Sequence, residues 1–176
     1  MTAYLHELGC GPGPLVVRVP VNRAEMTGVG AEGNHHSLFT VEVPSASLPF
    51  GDDVRRVGAL LAAGKRTAQT AAAQRLLALG SYLPPRFVAR QVEVTSARSD
   101  CIASNVVGSP VAMAMGGRRI VRMCMFPATF GCAFAAALYT AGDRAELSLT
   151  IDTAAISAPA ALERRLSDEV AQLSER

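Results

Sequence analysis

Short segments rich in β-branched and other apolar residues recur along the chain, and some of them alternate with polar residues. Alternation with a period of two is typical of strands that bury one face in a sheet. Phe39, Val41 and Val43, for example, are each separated by one residue. The segments predicted to form strands are 15–21, 34–43, 101–106, 120–126, 132–140 and 145–151.

Other segments have the period of a helix, with apolar residues on one face. One begins at Asp52 or Asp53, whose carboxylates suit the positive end of a helix, and continues through alanine-rich sequence to Leu79. Another covers residues 159–173, and a shorter helix starts at Pro84-Pro85 and continues to about Arg90. Two strands, helices, further strands and a final helix predict an α+β fold of two layers.

Residues 123–141 form a run of 19 residues without a charged side chain, which is long enough to resemble a membrane-spanning helix. Pro127 and Gly131 interrupt its first half, and small residues dominate the rest. Strands buried in a covered sheet also give nearly continuous apolar runs. We therefore interpret the segment as two strands joined at 127–131, and we expect no transmembrane span.

Composition narrows the possible functions. The chain has 176 residues, 49% hydrophobic and 18% charged, so it is able to bury a core. A net charge of +2 without a dense basic stripe argues against a nucleic-acid partner. The cysteines and histidines lack the spacing of a metal site or a disulfide framework. We expect no metal, and free thiols in the reducing cytoplasm.

Residues 104–110 read Ser-Asn-Val-Val-Gly-Ser-Pro, the pattern of a strand that runs into a turn. The side chain of Asn105 is expected to fix this turn by bonding to backbone groups. Gly108 is expected to supply an unusual backbone dihedral angle. These residues taken alone predict a structural turn.

Several motifs together resemble one known family. They are Ser104-Asn105 with Gly108 and Pro110, the sequence Gly-Gly-Arg-Arg-Ile at 116–120, Val-Pro-Val-Asn at 19–22, Gly33-Asn34 and Lys65. Their order over residues 15–173 resembles the C-terminal domain of the bacterial wax ester synthase/acyl-CoA:diacylglycerol acyltransferase family. Val107 and Ser109 depart from that family, which typically has proline at both positions.

The resemblance implies a fold and a function. The fold would be a two-layer mixed sheet with helices on one face, similar to one subdomain of the chloramphenicol acetyltransferase-like fold. The function would be that of the C-terminal half of an acyl-CoA-dependent O-acyltransferase, forming a wall of the channel for the acyl chain and the acceptor. Acyl-CoA would be a co-substrate, no cofactor would be bound, and a separate N-terminal half would carry the catalytic histidine.

The candidate residues for substrate binding or for the structural turn are Asn34, Ser104, Asn105, Gly108 and Pro110. No residue is assigned a catalytic role. Residues 1–14 are expected to form an N-terminal loop segment, and residues 15–176 a single domain. The location would be the cytoplasm, or its boundary with a membrane or lipid inclusion. Two alternatives remain: a non-catalytic half-fold that binds lipid, a partner or itself, and the remnant of a split gene.

Two pairs of adjacent basic residues, one of histidines and one of arginines, do not change this interpretation. His35-His36 resembles the start of the acyltransferase motif His-His-x-x-x-Asp-Gly, but the Asp and Gly are absent. Within a strand, the two histidines would also point to opposite faces of the sheet. Arg118-Arg119 follows Gly116-Gly117, and such a pair is more typical of a solvated turn than of a phosphate or coenzyme contact.

Overall fold

The computed structural model describes residues 13–22, 36–45, 50–68, 82–96 and 98–174. In these ranges the strands are β1 (Leu15–Asn22), β2 (His36–Val43), β3 (Cys101–Val107), β4 (Ala114–Met115), β5 (Arg118–Arg119), β6 (Phe134–Ala141) and β7 (Arg144–Ile151). The helices are α1 (Phe50–Ala68), α2 (Pro85–Ser96) and α3 (Pro159–Ser174). None of these helices is both long enough and apolar enough to cross a membrane.

Five strands form one mixed sheet in the order β2-β1-β3-β6-β7. The inner pairs β1/β3 and β3/β6 are parallel, whereas the outer pairs β1/β2 and β6/β7 are antiparallel. The short strands β4 and β5 form a separate hairpin. The sheet confirms the α+β prediction, and the uncharged run 123–141 contributes one strand of it, β6.

One row of apolar side chains crosses all five strands. Paired positions place Val41, Val17, Cys101, Phe134 and Ile151 side by side on one face of the sheet. Four of these side chains are buried and Ile151 packs against them. Adjacent β-strand residues point to opposite faces, so this register also fixes the row on the other face.

Helices α1 and α3 cover the face that carries this row. Leu60 and Leu61 of α1 pack against the core cluster, and Leu162 of α3 is 1% exposed within it. Gly64 lets α1 approach β2, because a Cβ atom added there would overlap the ring of Phe39 and lie 3.3 Å from Cγ1 of Val41. Helices on one face of a mixed sheet are the predicted arrangement.

The prediction of a strand at 120–126 is wrong. Residues 120–129 have no regular secondary structure and no ladder partner among the described strands. The segment is instead tied to β7: the Ser148 hydroxyl donates to the carbonyl of Met125, and Arg122 pairs with Glu146 at 2.9 Å. An apolar pattern shows that a segment can be buried, but a strand also needs a neighbour with free backbone groups.

Most other boundaries agree with the prediction to within two residues, but α2 continues to Ser96, six residues beyond its predicted end at Arg90. Helix α1 begins at Phe50, so Asp52 and Asp53 lie in its first turn and do not precede it as caps. There they pair with Arg55 and Arg56, three residues further along the helix. Asn34, His35 and the predicted helical residues 69–79 lie outside the described residues.

Candidate functional site

Ser104 and Asn105 are adjacent in β3, and the structure places them on opposite faces of the sheet. Asn105 pairs with Leu138 and so lies on the face that carries α1 and α3. Ser104 pairs with Ala137, which pairs in turn with Ser148, and so lies on the opposite face. The motif therefore serves two surfaces, and its two polar side chains do not form one site.

An apolar strip surrounds Asn105 at the carboxyl end of β3. It consists of Val107, which is 81% exposed, Leu147, 41% exposed, and Leu138, 36% exposed. Leu138 and Leu147 are paired positions on the helix-bearing face, and Val107 lies two residues beyond Asn105 on that face. The buried cluster beneath the helices contains Cys101 and Phe134, at the other end of the same strands. The helices thus leave this end of the face uncovered.

Gly108 is required by close packing, and the expectation of an unusual dihedral angle is wrong. Its φ is not in the left-handed region, unlike that of Gly116, Gly117 or Gly142. A Cβ atom at Gly108 would lie 2.9 Å from Cε2 of Tyr139 and closer still to its Cζ and hydroxyl oxygen. The backbone N–H of Gly108 donates to the Thr140 carbonyl at 2.7 Å, so β3 stays attached to β6 at this point.

Ser109, and not Asn105, fixes the turn that follows. The Ser109 hydroxyl accepts a hydrogen bond from the Val111 N–H at 3.2 Å and donates to the Val111 carbonyl at 3.0 Å. Asn105 lies inside the β3/β6 ladder, and its side chain is exposed. The prediction that Asn105 holds the turn is therefore wrong, since the ladder already satisfies the backbone there.

A groove of about 390 Å³ lies beside this turn, between the β4–β5 hairpin and the β6–β7 hairpin. Its wall includes Pro110 and the ring of Tyr139. Arg119 and Arg144 also line it, one from each hairpin. Of the predicted site residues, Pro110 lines the groove, Asn105 lies in the apolar strip, and Gly108 packs closely against Tyr139, which lines the groove.

Among the described residues, three side chains have pKa values that their surroundings raise: Arg122 at the groove, and Cys101 and Cys132 in the buried core. The carboxylate of Glu146 accepts a hydrogen bond from Arg122 and raises the pKa of that guanidinium, which therefore stays charged. Burial, with smaller contributions from Asp100 and Cys132, raises the pKa of Cys101 to about 12. Burial also raises the pKa of Cys132. Both buried thiols are therefore protonated at neutral pH and unsuited to be nucleophiles.

The described ranges offer polar and apolar groups that could contact a ligand. No group of three or more His, Cys, Asp or Glu residues there could hold a metal ion. The surfaces offer apolar side chains, an amide at Asn105 and guanidinium groups at the groove. Sequence reasoning missed Tyr139, Arg144 and Glu146 as groove residues, although the turn at 141–143 was a signal that residues 139 and 144 flank a hairpin.

The fold is that of part of a known class of acyltransferase. The structure is similar to the wax ester synthase/diacylglycerol acyltransferase from Marinobacter aquaeolei VT8, with a TM-score of 0.62 at 16% sequence identity. The match covers 98% of this chain and 39% of the Marinobacter chain, so this chain spans well under half the length of that protein. No curated protein sequence matches the chain.

The sequence identifies the family. The sequence model of the WS/DGAT C-terminal domain matches residues 32–174, which is most of the chain. The chain belongs to this family of wax ester synthases and diacylglycerol acyltransferases and represents its C-terminal domain. The resemblance noted in the sequence is therefore confirmed.

Proposed function

We propose that this domain is the C-terminal half of an acyl-CoA-dependent O-acyltransferase that makes wax esters or triacylglycerols. The family match over residues 32–174 is the observation that carries this proposal. The acceptor would be a long-chain alcohol or a diacylglycerol, and the reaction would join its hydroxyl to the acyl group of a thioester. The location would be cytoplasmic, at the boundary with a membrane or lipid inclusion, because the acceptor is a lipid.

The apolar strip is the part of the domain that best suits a channel wall. Val107, Leu138 and Leu147 are exposed side by side, and apolar surface in water favours contact with an acyl chain. Asn105 is the polar side chain within the strip, and its amide is able both to donate and to accept a hydrogen bond. We assign Asn105 the positioning of a polar group of the substrate in an otherwise apolar channel.

The catalytic base would come from another part of the enzyme. Attack of the acceptor hydroxyl on the thioester carbonyl requires a base to remove the hydroxyl proton, while the CoA thiolate leaves. No side chain at the apolar strip has a suitable pKa, because amides and aliphatic groups do not titrate near neutral pH. We therefore assign the base to an N-terminal half with the His-His-x-x-x-Asp-Gly motif. Asn34, Gly108 and Pro110 remain candidate contact or turn residues, whereas Ser104 lies on the opposite face of β3 and is not placed in the channel wall.

The proposal is tested by finding and adding the missing half. The coding sequence upstream of this chain is determined, and a His-His-x-x-x-Asp-Gly region found there is co-expressed with the chain. CoA release is then measured with palmitoyl-CoA and hexadecanol or dioctanoylglycerol. We expect release only when both halves are present. Release by this chain alone would contradict the assignment of the base, and the absence of such a region upstream would remove the catalytic proposal.

Variants of adjacent residues test the channel wall. In the reconstituted enzyme, Asn105→Ala is expected to lower kcat/KM by about tenfold or more, the effect of losing one good substrate hydrogen bond. Ser104→Ala is the matched control, since Ser104 lies on the opposite face of the same strand. Equal effects of both substitutions would contradict the assignment of the helix-bearing face to the channel.

The exposed apolar surface also favours a second candidate, a non-catalytic half-fold that associates with itself or another chain. Beyond the strip, Phe126 and Phe130 are 74% and 62% exposed. Large exposed apolar side chains are typical of interaction surfaces. Sedimentation velocity at micromolar concentration tests self-association, and a monomer would count against it.

A further inference from the structure

We propose that the groove between the two hairpins binds an organic phosphate that carries an apolar arm, with Arg119 and Arg144 as the groups that hold the phosphate. Nothing in the proposed acyl channel requires this site, because the groove and the apolar strip lie on different parts of the domain. If the ligand is CoA, the inference deepens the proposed function and rests on it.

The two hairpins place both arginine residues at one groove. In the β4–β5 hairpin, Gly116 and Gly117 have φ values of 56° and 76°, which form a tight two-residue turn. Arg119 follows it, paired with Ala114, and lines the groove. Arg144 lines the groove from the other side, where it directly follows the turn between β6 and β7.

The charge balance of the groove leaves a site for an anion. Arg122 and Glu146 neutralise each other in an ion pair, and Asp143 offsets one of the two other arginines. Neither Arg119 nor Arg144 forms an ion pair with another residue in the described ranges. Arginine is suited to phosphate because its planar fork of N–H donors matches two phosphate oxygens at once.

The remaining lining favours a ligand larger than a free phosphate ion. Besides Pro110 and Tyr139, the larger apolar residues that line the groove are Val111, Met113, Ile120, Val121 and Met123. A volume of about 390 Å³ is in the range of sites for small organic ligands. The phosphates of CoA and the headgroup of a phospholipid share this chemistry, an anionic group joined to a less polar arm.

Binding is measured with the full chain and three probes. Isothermal titration calorimetry uses CoA and inorganic phosphate, and vesicle flotation compares phosphatidylcholine with and without phosphatidic acid. We expect CoA or phosphatidic acid vesicles to bind more tightly than inorganic phosphate, and the probe that binds identifies the source of the ligand. If inorganic phosphate binds as tightly as CoA and the phosphatidic acid vesicles, the groove does not recognise an apolar arm. If none of the three probes binds, the proposed site is wrong.

Variants locate the site within the hairpins. Arg119→Gln and Arg144→Gln are each expected to weaken binding about tenfold or more, as for the loss of a hydrogen bond to a charged group. Asp143→Asn is expected to tighten it, because it removes a negative charge from the rim. Arg118→Gln is the matched control: this exposed neighbour has the same charge but does not line the groove. An equal loss in Arg118→Gln would show general charge attraction and overturn the proposal.

These outcomes remain distinct from those of the proposed function. CoA release by the reconstituted enzyme together with no binding at the groove would reject the inference and leave the acyltransferase proposal standing. Binding at the groove, with no CoA release from the chain alone or with the second half, would support the inference and reject the acyltransferase proposal. All four substitutions are at exposed positions, so circular dichroism is expected to show unchanged folding.

Discussion

The same substitution at two glycines of helix α1 should stabilise the protein at Gly58 but not at Gly64. Gly58 and Gly64 both lie in the interior of the helix, where alanine is intrinsically better than glycine by about 1 kcal/mol. A Cβ atom at Gly58 would meet nothing within 4 Å. At Gly64 it would overlap two ring carbons of Phe39 and press on Val41.

The magnitudes follow from these two environments. Gly58→Ala should raise the free energy of unfolding by about 1 kcal/mol, or Tm by about 2–4 °C for a chain of this size. Gly64→Ala gains the same helix propensity but overpacks the interface between α1 and β2, at a cost of about 1–3 kcal/mol. The net effect at Gly64 is between neutral and a loss of about 2 kcal/mol.

Urea denaturation followed by circular dichroism measures both variants. The stabilities of the two are expected to differ by about 1–3 kcal/mol, with Gly58→Ala the more stable. Phe39→Leu should recover part of the loss in the Gly64→Ala background, because a smaller side chain leaves room for the added methyl group. Equal stabilisation by both alanines would refute the close approach of α1 to β2.

Four further predictions concern the β3 end and the thiols. Gly108→Ala should destabilise the protein by about 1–3 kcal/mol in urea denaturation, because the methyl group meets Tyr139, and an unchanged midpoint would contradict that contact. Ser109→Ala should lower the free energy of unfolding by about 1 kcal/mol, because the hydroxyl bonds to Val111 are lost. Asn105→Ala should change it by less than about 0.5 kcal/mol. A larger loss in Asn105→Ala than in Ser109→Ala would show that Asn105 holds the turn. Cys101 should react with a thiol reagent more slowly than the half-buried Cys124 at pH 8, as measured by mass spectrometry of each cysteine after partial labelling. The protonated Cys101 thiol is favoured by folding, so its contribution is present below pH 9 and is lost as the pH rises from 9.0 towards about 12, which thermal melts across that range would detect.

The family assignment also bears on why the domain exposes so much apolar surface. The chain covers 39% of the similar Marinobacter protein, and the apolar strip contains no charged side chain. In the proposed enzyme, a second half that packs against the strip would remove this apolar surface from water. The co-expression experiment therefore tests stability as well as activity, since a bound second half should also raise Tm.

Local sequence determined the elements and their order. Period-two alternation in residues 36–43 and the helical stripe of α3 were sufficient, because one buried face imposes its period on the sequence. The pair Gly116-Gly117 and the sequence Gly142-Asp143 marked the tight turns, and the positive φ at each of these three glycines excludes most other residues. The ordered motifs around Ser104 to Pro110 identified the family, and the match over residues 32–174 confirms it.

Only the tertiary structure decided which residues meet. The apolar pattern at 120–126 predicted a strand, but pairing depends on a neighbour far away in sequence, and Ser148 and Glu146 hold this segment without a ladder. The place of Gly108 in the turn was evident, but the reason for glycine was not, since Tyr139 reaches it only through the β3/β6 pairing. Likewise, Arg119 and Arg144 line one groove because two hairpins pack together. The local sequence pattern around either residue does not predict this packing.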